Sequence, residues 1–143
     1  MKDFYHPEFR FNDQQIAFED LNDVAYSLIK EGTPFEKAAG DFLMDWIDSR
    51  PDIIQMTSGS TGSPKEISLQ KSCMVQSAQL TGKTLDLGPG SRVLCPLSLT
   101  NIAGKMMTVR AMVLGWQLHV QEPKADTLAR SEGHFDFAAM VPL

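Results

Sequence analysis

The feature that most constrains the fold of this sequence is a nine-residue segment with almost no apolar surface. Residues 57–65 read Thr-Ser-Gly-Ser-Thr-Gly-Ser-Pro-Lys, with two glycines, five hydroxyl side chains and one terminal cation. Such a segment cannot build a hydrophobic core, so it must form a loop. Glycine allows backbone N–H groups to converge on a ligand, and the hydroxyls and the ammonium add further donors. The segment predicts an anion-binding loop, and a polyphosphate suits its donors best.

The residues on either side of this loop predict two strands. Asp52 to Met56 is a short apolar strand, and Glu66 to Leu69 alternates like a returning strand. A strand–loop–strand hairpin differs from the strand–loop–helix of a Walker phosphate loop, whose GxxxxGK[ST] pattern is also absent. The alternative is a mobile surface turn without a ligand, because turns rich in glycine, serine and threonine are common.

Composition and charge exclude some classes of function. The chain has 143 residues, enough for one domain, with 43% hydrophobic and 22% charged residues. Its net charge of −5 argues against a nucleic-acid binder that works by bulk electrostatics. Residues 1–56 carry a net charge of −7, whereas residues 57–143 carry +2. The part of the chain that begins with the loop therefore tolerates an anionic ligand better.

Cysteine, histidine and hydropathy patterns predict a cytoplasmic protein without a metal site. Cys73 and Cys95 lie in no metal-ligand spacing, and we expect both to be buried thiols in a reducing compartment. The histidines show no paired-ligand spacing. No apolar run approaches the roughly 18 residues of a membrane span, and the N-terminus lacks a signal-peptide core.

The N-terminal third is expected to be a helical leader. Residues 1–12 are aromatic-rich and irregular and are expected to lie across the surface of the body, followed by a helix from Asp13 to Lys30 that Gly32 ends. Thr33-Pro34-Phe35-Glu36 is a capping box that begins a second helix, which Pro51 ends. An apolar stripe along this helix indicates core packing rather than a ligand pocket: Phe35, Ala38, Ala39, Phe42, Leu43, Trp46 and Ile47.

From residue 70 onward helices and strands alternate, which predicts βαβ units. The predicted helices and strands are Gln70–Thr84, Arg92–Pro96, Asn101–Leu114, Trp116–Gln121, Pro123–Ser131 and Phe135–Val141, in the order helix, strand, helix, strand, helix, strand. The predicted fold class is α/β, with a mainly parallel sheet and flanking helices. We divide the chain into a helical leader at 1–51 and a main portion at 52–143.

The loop and its flanks resemble the adenylate-forming (AMP-binding) superfamily of acyl-CoA synthetases, luciferases and peptide-synthetase adenylation domains. The signature of that family, [ST]-[ST]-G-[ST]-[ST]-G-x-P-K, is matched at every defined position from Thr57 to Lys65. Leu94-Cys95-Pro96-Leu97 with Ile102-Ala103-Gly104 resembles the family segment PLxHxxG that lines the acyl pocket, although Leu99-Thr100-Asn101 replaces the usual histidine or aromatic. The closing Ala139 to Leu143 resembles the family strand that ends in VP.

This resemblance covers roughly residues 50–143 and implies a fold and an activity. The fold would be the N-terminal part of the large domain of an adenylate-forming enzyme. The activity would be that of an ATP-dependent acid–CoA ligase, which turns a small carboxylate into acyl-AMP and passes it to coenzyme A, with Mg²⁺ assisting. The implied catalytic residue is Lys65, and the implied nucleotide-binding residues are Thr57, Ser58, Gly59, Ser60, Thr61, Gly62 and Lys65. Since the family's later segments are missing, we expect a fragment that shows no turnover by itself.

A narrower resemblance concerns the helix from Gly104 to Ala111, which is most similar to o-succinylbenzoate–CoA ligases of menaquinone synthesis. Lys105 and Arg110 on this helix could meet a substrate carboxylate, but solvent-facing charges are the favoured interpretation. Asn101 is expected to be only a helix N-cap. Two alternatives stay open. One is a non-catalytic nucleotide- or anion-binding or assembly module that dimerises through an exposed sheet edge. The other is transfer of the acyl group to a carrier protein.

Overall fold

The computed structural model describes residues 1–57, 64–124 and 133–141 of the chain. Its main sheet has five strands: β1 (Arg10–Phe11), β2 (Gln14–Gln15), β5 (Arg92–Cys95), β6 (Gln117–Val120) and β7 (Phe137–Ala138). A separate antiparallel hairpin consists of β3 (Asp52–Thr57) and β4 (Lys65–Gln70). The helices are α1 (Leu21–Glu31), α2 (Pro34–Ile47), α3 (Lys71–Leu85) and α4 (Ile102–Leu114).

The main sheet is mostly parallel, which confirms the predicted fold class. Its strand order is β2-β1-β6-β5-β7, and β6 pairs in parallel with both β1 and β5. β5 also pairs in parallel with β7, and only the β1–β2 pair is antiparallel. Val93 and Leu118 pair across the centre of the sheet and are fully buried in the core beneath the helices. Parallel neighbours need crossover connections, and α4 supplies the one between β5 and β6.

The N-terminal segment is not the irregular surface stretch that the sequence predicted. Phe9 is fully buried and Phe11 is 7% exposed, because β1 inserts beside β6 and carries these rings into the core. The helix predicted from Asp13 begins only at Leu21, since Asn12 and Asp13 adopt positive φ angles of 47° and 67° in the tight turn between β1 and β2. Asn and Asp accept this left-handed geometry most readily after glycine. The leader at 1–51 therefore shares a sheet with the rest of the chain, while the boundary at residue 51 stays a prediction.

Most later elements lie where the sequence predicted them, within one or two residues. The helix from Gln70, the strand from Arg92 and the helix from Asn101 correspond to α3, β5 and α4. The final strand is shorter than expected, since only Phe137 and Ala138 pair with β5. The helix predicted over Pro123 to Ser131 falls mostly outside the described residues, and Pro123 and Lys124 are not helical.

The predicted capping box at the start of α2 is present. The Glu36 backbone N–H donates to the Thr33 hydroxyl at 3.3 Å, and the Thr33 N–H donates to the Glu36 carboxylate at 2.8 Å. The backbone N–H of Thr33, which is the largest cause, and the Thr33 hydroxyl both donate to the Glu36 carboxylate and lower its pKa. The helix then buries Phe42, Leu43 and Trp46, so the predicted apolar stripe is core.

Replacing the cap residue tests this account of α2. We expect Thr33→Ala to lower the free energy of unfolding by about 1 kcal/mol, the usual effect of removing an N-cap hydroxyl. Urea unfolding followed by circular dichroism measures this loss. Thr33→Ser keeps the hydroxyl and serves as the matched control. Equal stability of the alanine and serine variants would show that the cap bond contributes nothing.

Candidate functional site

The glycine- and hydroxyl-rich segment connects the two strands of a hairpin, as predicted. β3 and β4 pair in register from Asp52 opposite Gln70 to Thr57 opposite Lys65. Thr57 and Lys65 are thus the last pair before the loop, and the Thr57 hydroxyl donates to the Lys65 carbonyl at 3.3 Å. The predicted ligands Ser58, Gly59, Ser60, Thr61 and Gly62 lie outside the described residues. Of the predicted nucleotide-binding set, the structure places Thr57 and Lys65, and it places them side by side.

Lys65 is available to an anion at the mouth of the hairpin. Its side chain is exposed, and it takes part in none of the ion pairs formed among the described residues. The neighbouring carboxylate of Glu66 projects to the other face, because successive side chains of a strand alternate. Lys65 shares its face with Thr57 and Gln55, which the register places on the same side of the hairpin. One ammonium and one hydroxyl therefore lie together where the loop begins and ends.

Gln55 joins the hairpin to the loop that follows β5. This residue is 5% exposed, and its Nε2 donates to the carbonyl oxygens of Met56 at 2.8 Å and Thr100 at 3.0 Å. Thr100 belongs to the β5–α4 loop, residues 96–101, which lies at the carboxyl end of a parallel strand. Ligands of open α/β sheets bind at such strand ends. Gln55 is not among the site residues predicted from the sequence, although a glutamine at an inward position of an otherwise apolar strand is a visible signal.

The β5–α4 loop is a compact turn with two hydroxyls. The Ser98 and Thr100 hydroxyl oxygens are 2.8 Å apart, and the Thr100 N–H donates to the Ser98 hydroxyl at 3.2 Å. A Cβ at Gly104 would lie 2.4 Å from the Ser98 carbonyl oxygen, so only glycine lets the helix approach the loop this closely. Asn101 occupies the N-cap position, as predicted, but its side chain makes no capping hydrogen bond. Leu99, which stands in the segment that resembles the acyl pocket, is 1% exposed.

Lys105 and Arg110 are not the solvent-facing charges that the sequence analysis favoured. Lys105 is 8% exposed, and its ammonium lies 5.9 Å from the centre of the Phe42 ring of α2. Burial lowers the pKa of Lys105, and the charge of Asp45 opposes that shift. Arg110 is half-buried, and its Nε donates to the Thr81 hydroxyl of α3 at 3.2 Å. Both cations lie between helices, and no described contact brings either to the hairpin.

One of the two cysteines also differs from its prediction. Cys95 is buried as expected, and desolvation raises the pKa of its thiol to about 11. Cys73 is exposed on α3, because its position falls on the outer side of that helix. Neither cysteine forms a disulfide bond.

The described residues offer no alternative metal centre. Residues 1–57, 64–124 and 133–141 contain no group of three or more histidine, cysteine, aspartate or glutamate side chains that could hold a metal ion. Within the same ranges, every helix is too short or too polar to cross a membrane. The hairpin and the adjacent β5–α4 loop form the candidate site.

The fold defines the class of this protein: it is an α/β protein with a mainly parallel sheet and a separate antiparallel hairpin. A scan against protein-family models finds no match, and a search of the curated proteins finds none either. Solved structures do match. The chain is similar to an AMP-forming acyl-CoA synthetase/AMP-acid ligase II-like protein from Dyadobacter fermentans, with 41% sequence identity and a TM-score of 0.72 over 84% of this chain and 35% of that chain.

Two other solved structures are similar over shorter stretches. The inhibitor-bound N-terminal domain of FACL13 from Mycobacterium tuberculosis is 25% identical, with a TM-score of 0.48 over 53% of this chain and 19% of that chain. VinN, solved in complex with 3-methylaspartate, is 22% identical, with a TM-score of 0.45 over 59% of this chain and 26% of that chain.

The match to the Dyadobacter protein supports the superfamily that the loop signature predicted. Its identity of 41% extends over most of this chain, well beyond the nine residues of the loop. The chain spans about a third of the length of that relative, the matched share being 35%. The similarity therefore concerns the fold and the portion that carries the hairpin.

Proposed function

We propose that this chain is the phosphate-binding portion of an ATP-dependent acid–CoA ligase that activates a carboxylate as acyl-AMP. The observation that carries the proposal is the Thr57 to Lys65 motif, whose first and last residues form the closing pair of a hairpin. The similarity to an AMP-forming acyl-CoA synthetase is a second and independent support.

The chemistry explains why such a loop would need its donors. A carboxylate attacks the α-phosphate of ATP, and the departing pyrophosphate gains negative charge in the transition state. Donors aimed at its β and γ oxygens stabilise that charge. In the proposal, the Lys65 ammonium acts at the hairpin mouth together with the backbone N–H groups and hydroxyls of residues 58–62, and Thr57, whose hydroxyl donates to the Lys65 carbonyl, closes the hairpin beside them.

The side chains at the hairpin mouth fit a phosphate better than a bare metal ion. Lys65 offers an ammonium there, and the nearby Glu66 carboxylate faces the other way. Mg²⁺ typically binds through one or two carboxylates, several waters and the phosphates of the substrate. In this proposal, Mg²⁺ reaches the site bound to ATP and neutralises the charge of the phosphates.

The proposal also names an acyl substrate and the acceptor of the acyl group. The helix from Gly104 to Ala111 resembles those of o-succinylbenzoate–CoA ligases, so we propose o-succinylbenzoate as the acid, coenzyme A as the acceptor, and a cytoplasmic role in menaquinone synthesis. Lys105 is buried and Arg110 is half-buried between helices, so these two cations give this substrate no added support. Transfer to a carrier protein remains the alternative at the acceptor step.

Nucleotide binding by the chain itself tests the core of the proposal. We expect a titration with Mg·ATP to shift the backbone amide resonances of Thr57 and Lys65 in a ¹⁵N NMR spectrum, because both residues border the loop. Inorganic pyrophosphate is expected to shift the same resonances. If saturating Mg·ATP shifts other residues and leaves these two unchanged, the proposed phosphate site is wrong.

An assembly module is the second candidate function, and the exposed apolar surface of the hairpin favours it. Ile54 and Met56 share one face of β3 and are 45% and 55% exposed, and Ile67 of β4, on the opposite face, is 44% exposed. Within the described residues, β3 and β4 pair only with each other, which leaves both outer edges open. A two-stranded hairpin is marginally stable by itself, and an open edge is a template for another strand.

Light scattering tests the homodimer that this second candidate predicts. We expect a molar mass that rises towards twice that of the 15.9 kDa chain as its concentration increases. Ile54→Lys adds a charge to the exposed face and is expected to hold the chain monomeric. A constant mass of one chain at millimolar concentration would exclude the dimer.

A further inference from the structure

Gln55 is a buried polar residue that the proposed chemistry does not use. It lies on the inward face of β3 with Ile53, and the two side chains are 5% and 1% exposed. An amide at such a position loses its hydration and must be stabilised by hydrogen bonds. Two residues farther along the strand, at about 3.4 Å per residue, lies the Thr57–Lys65 pair that closes the loop.

The hydrogen bonds of Gln55 fix the orientation of its amide. Nε2 donates to two carbonyl oxygens, of Met56 and of Thr100, and these use both of its N–H groups. Oε1 therefore points the other way, and it is buried without a partner among the described residues. An unpaired buried acceptor is unfavourable, so the two N–H bonds must compensate for its position.

The bond to Thr100 connects β3 of the hairpin to the loop that follows β5 of the main sheet. It is the one hydrogen bond among the described residues that joins the hairpin to the β5–α4 loop. Thr100 directly precedes the N-cap residue of α4, and its hydroxyl is bonded to Ser98. The bond therefore links β3, two residues before the closing pair of the hairpin, to a loop at the carboxyl end of β5.

We propose that Gln55 is a positioning residue whose bond to the Thr100 carbonyl makes the β5–α4 loop respond when a nucleotide phosphate binds the hairpin. The proposal rests on the proposed function, since the hairpin is taken as the phosphate site. Gln55 acts through Thr100 and does not itself contact the phosphate. Its role is to keep the Thr57–Lys65 end of the hairpin and the β5–α4 loop in a fixed position relative to each other.

The first test needs no ligand. In Gln55→Met, which keeps a side chain of similar volume but has no donor, amide hydrogen exchange at residues 98–101 is expected to be faster than in the wild type. Gln79→Met, at an exposed position of α3, is the matched control and is expected to leave this exchange unchanged. Unchanged exchange in Gln55→Met would overturn the proposal, because the bond would then not hold the loop.

The second test adds Mg·ATP and follows backbone amide resonances. In the wild type, the resonances of Thr57 and Lys65 and those of residues 98–101 are expected to shift together. In Gln55→Met, the shifts at Thr57 and Lys65 are retained and the shifts at 98–101 are lost. The inference is wrong if the resonances of residues 98–101 still shift in Gln55→Met. It is also wrong if, in the wild type, the resonances of Thr57 and Lys65 shift and those of residues 98–101 do not. If the resonances of Thr57 and Lys65 do not shift in the wild type, the proposed function is wrong instead. The hydrogen-exchange test then still decides the role of Gln55.

A second variant covers the case in which Gln55→Met does not fold. Gln55→Glu keeps the shape of the side chain, but its carboxylate cannot donate to the Thr100 carbonyl. Burial raises the pKa of such a carboxyl, so it becomes protonated on mild acidification and regains one donor. Slow exchange at 98–101 is expected to return as the pH falls. Exchange that stays fast in the protonated variant would count against the hydrogen bond as the cause.

Discussion

Lys65→Ala is expected to slow pyrophosphate release about a hundredfold, the usual loss when one donor to a developing negative charge is removed. The reason lies in the geometry of the hairpin. Lys65 is the last residue before the loop on β4, it is exposed, and it forms none of the ion pairs among the described residues. Its charge is therefore not neutralised by those residues, and in the proposed function it stabilises the leaving group.

The measurement is pyrophosphate release with candidate carboxylic acids. It uses a protein in which this chain is joined to segments equivalent to the remaining part of the Dyadobacter relative, of which the chain spans 35%. Lys83→Ala is the matched control, because Lys83 is also exposed but lies on α3, away from the hairpin mouth. Equal rates for wild type and Lys65→Ala would remove Lys65 from the mechanism, whereas a loss shared by Lys83→Ala would indicate a general effect of charge.

The hairpin and most helices could be predicted because their signals are local. The loop between Thr57 and Lys65 cannot be core, and the flanking residues alternate or are apolar, so a strand must lie on each side. The capping box at Thr33 fixes the start of α2 through bonds made within four residues. The hairpin and the capping box depend on residues that are close in sequence, so they can be predicted without knowledge of the rest of the fold.

The errors concern positions that tertiary contacts decide. Asn12 and Asp13 look like the approach to a helix, yet their left-handed backbone turns β1 into β2 and brings Phe11 beside β6, more than 100 residues later in the chain. Lys105 reads as a surface charge, but it is buried, with its ammonium near the Phe42 ring of α2. Gln55 reads as one polar residue in an apolar strand, and only the position of Thr100 reveals its role. No periodicity within one element encodes these pairings.

Asp48→Asn is expected to lower the melting temperature well beyond the effect of an ordinary surface substitution. Asp48 caps the C-terminal end of α2, and its carboxylate accepts a hydrogen bond from the Lys71 ammonium of α3 at 2.9 Å. The Lys71 side chain is only 2% exposed, so the substitution leaves a buried cation without a negative partner, held only by neutral acceptors: the new amide oxygen and the residue 48 backbone carbonyl at 3.0 Å. A buried charge without its counter-ion is strongly destabilising. Lys71→Met removes the charge together with its need for a partner and is expected to be much milder.

The pH dependence of stability distinguishes this ion pair from simple packing. The hydrogen bond from Lys71, which is the largest cause, lowers the pKa of Asp48 to about 2, whereas an unperturbed aspartate titrates near pH 3.9. Because the pKa is depressed in the folded state, the stabilisation is fully present above about pH 4 and is lost as the pH falls through the folded pKa.

The difference in melting temperature between the wild type and Asp48→Asn should therefore be constant from pH 7 to about pH 5 and should shrink towards pH 2. Calorimetry across this range measures it, with Asp41→Asn, an exposed position of α2, as the control. A difference that stays the same at every pH would assign the effect to shape and not to charge. A greater loss of stability in Lys71→Met than in Asp48→Asn would contradict this explanation. The link between α2 and the start of α3 would then depend on the lysine side chain itself and not on a buried cation that lacks its counter-ion.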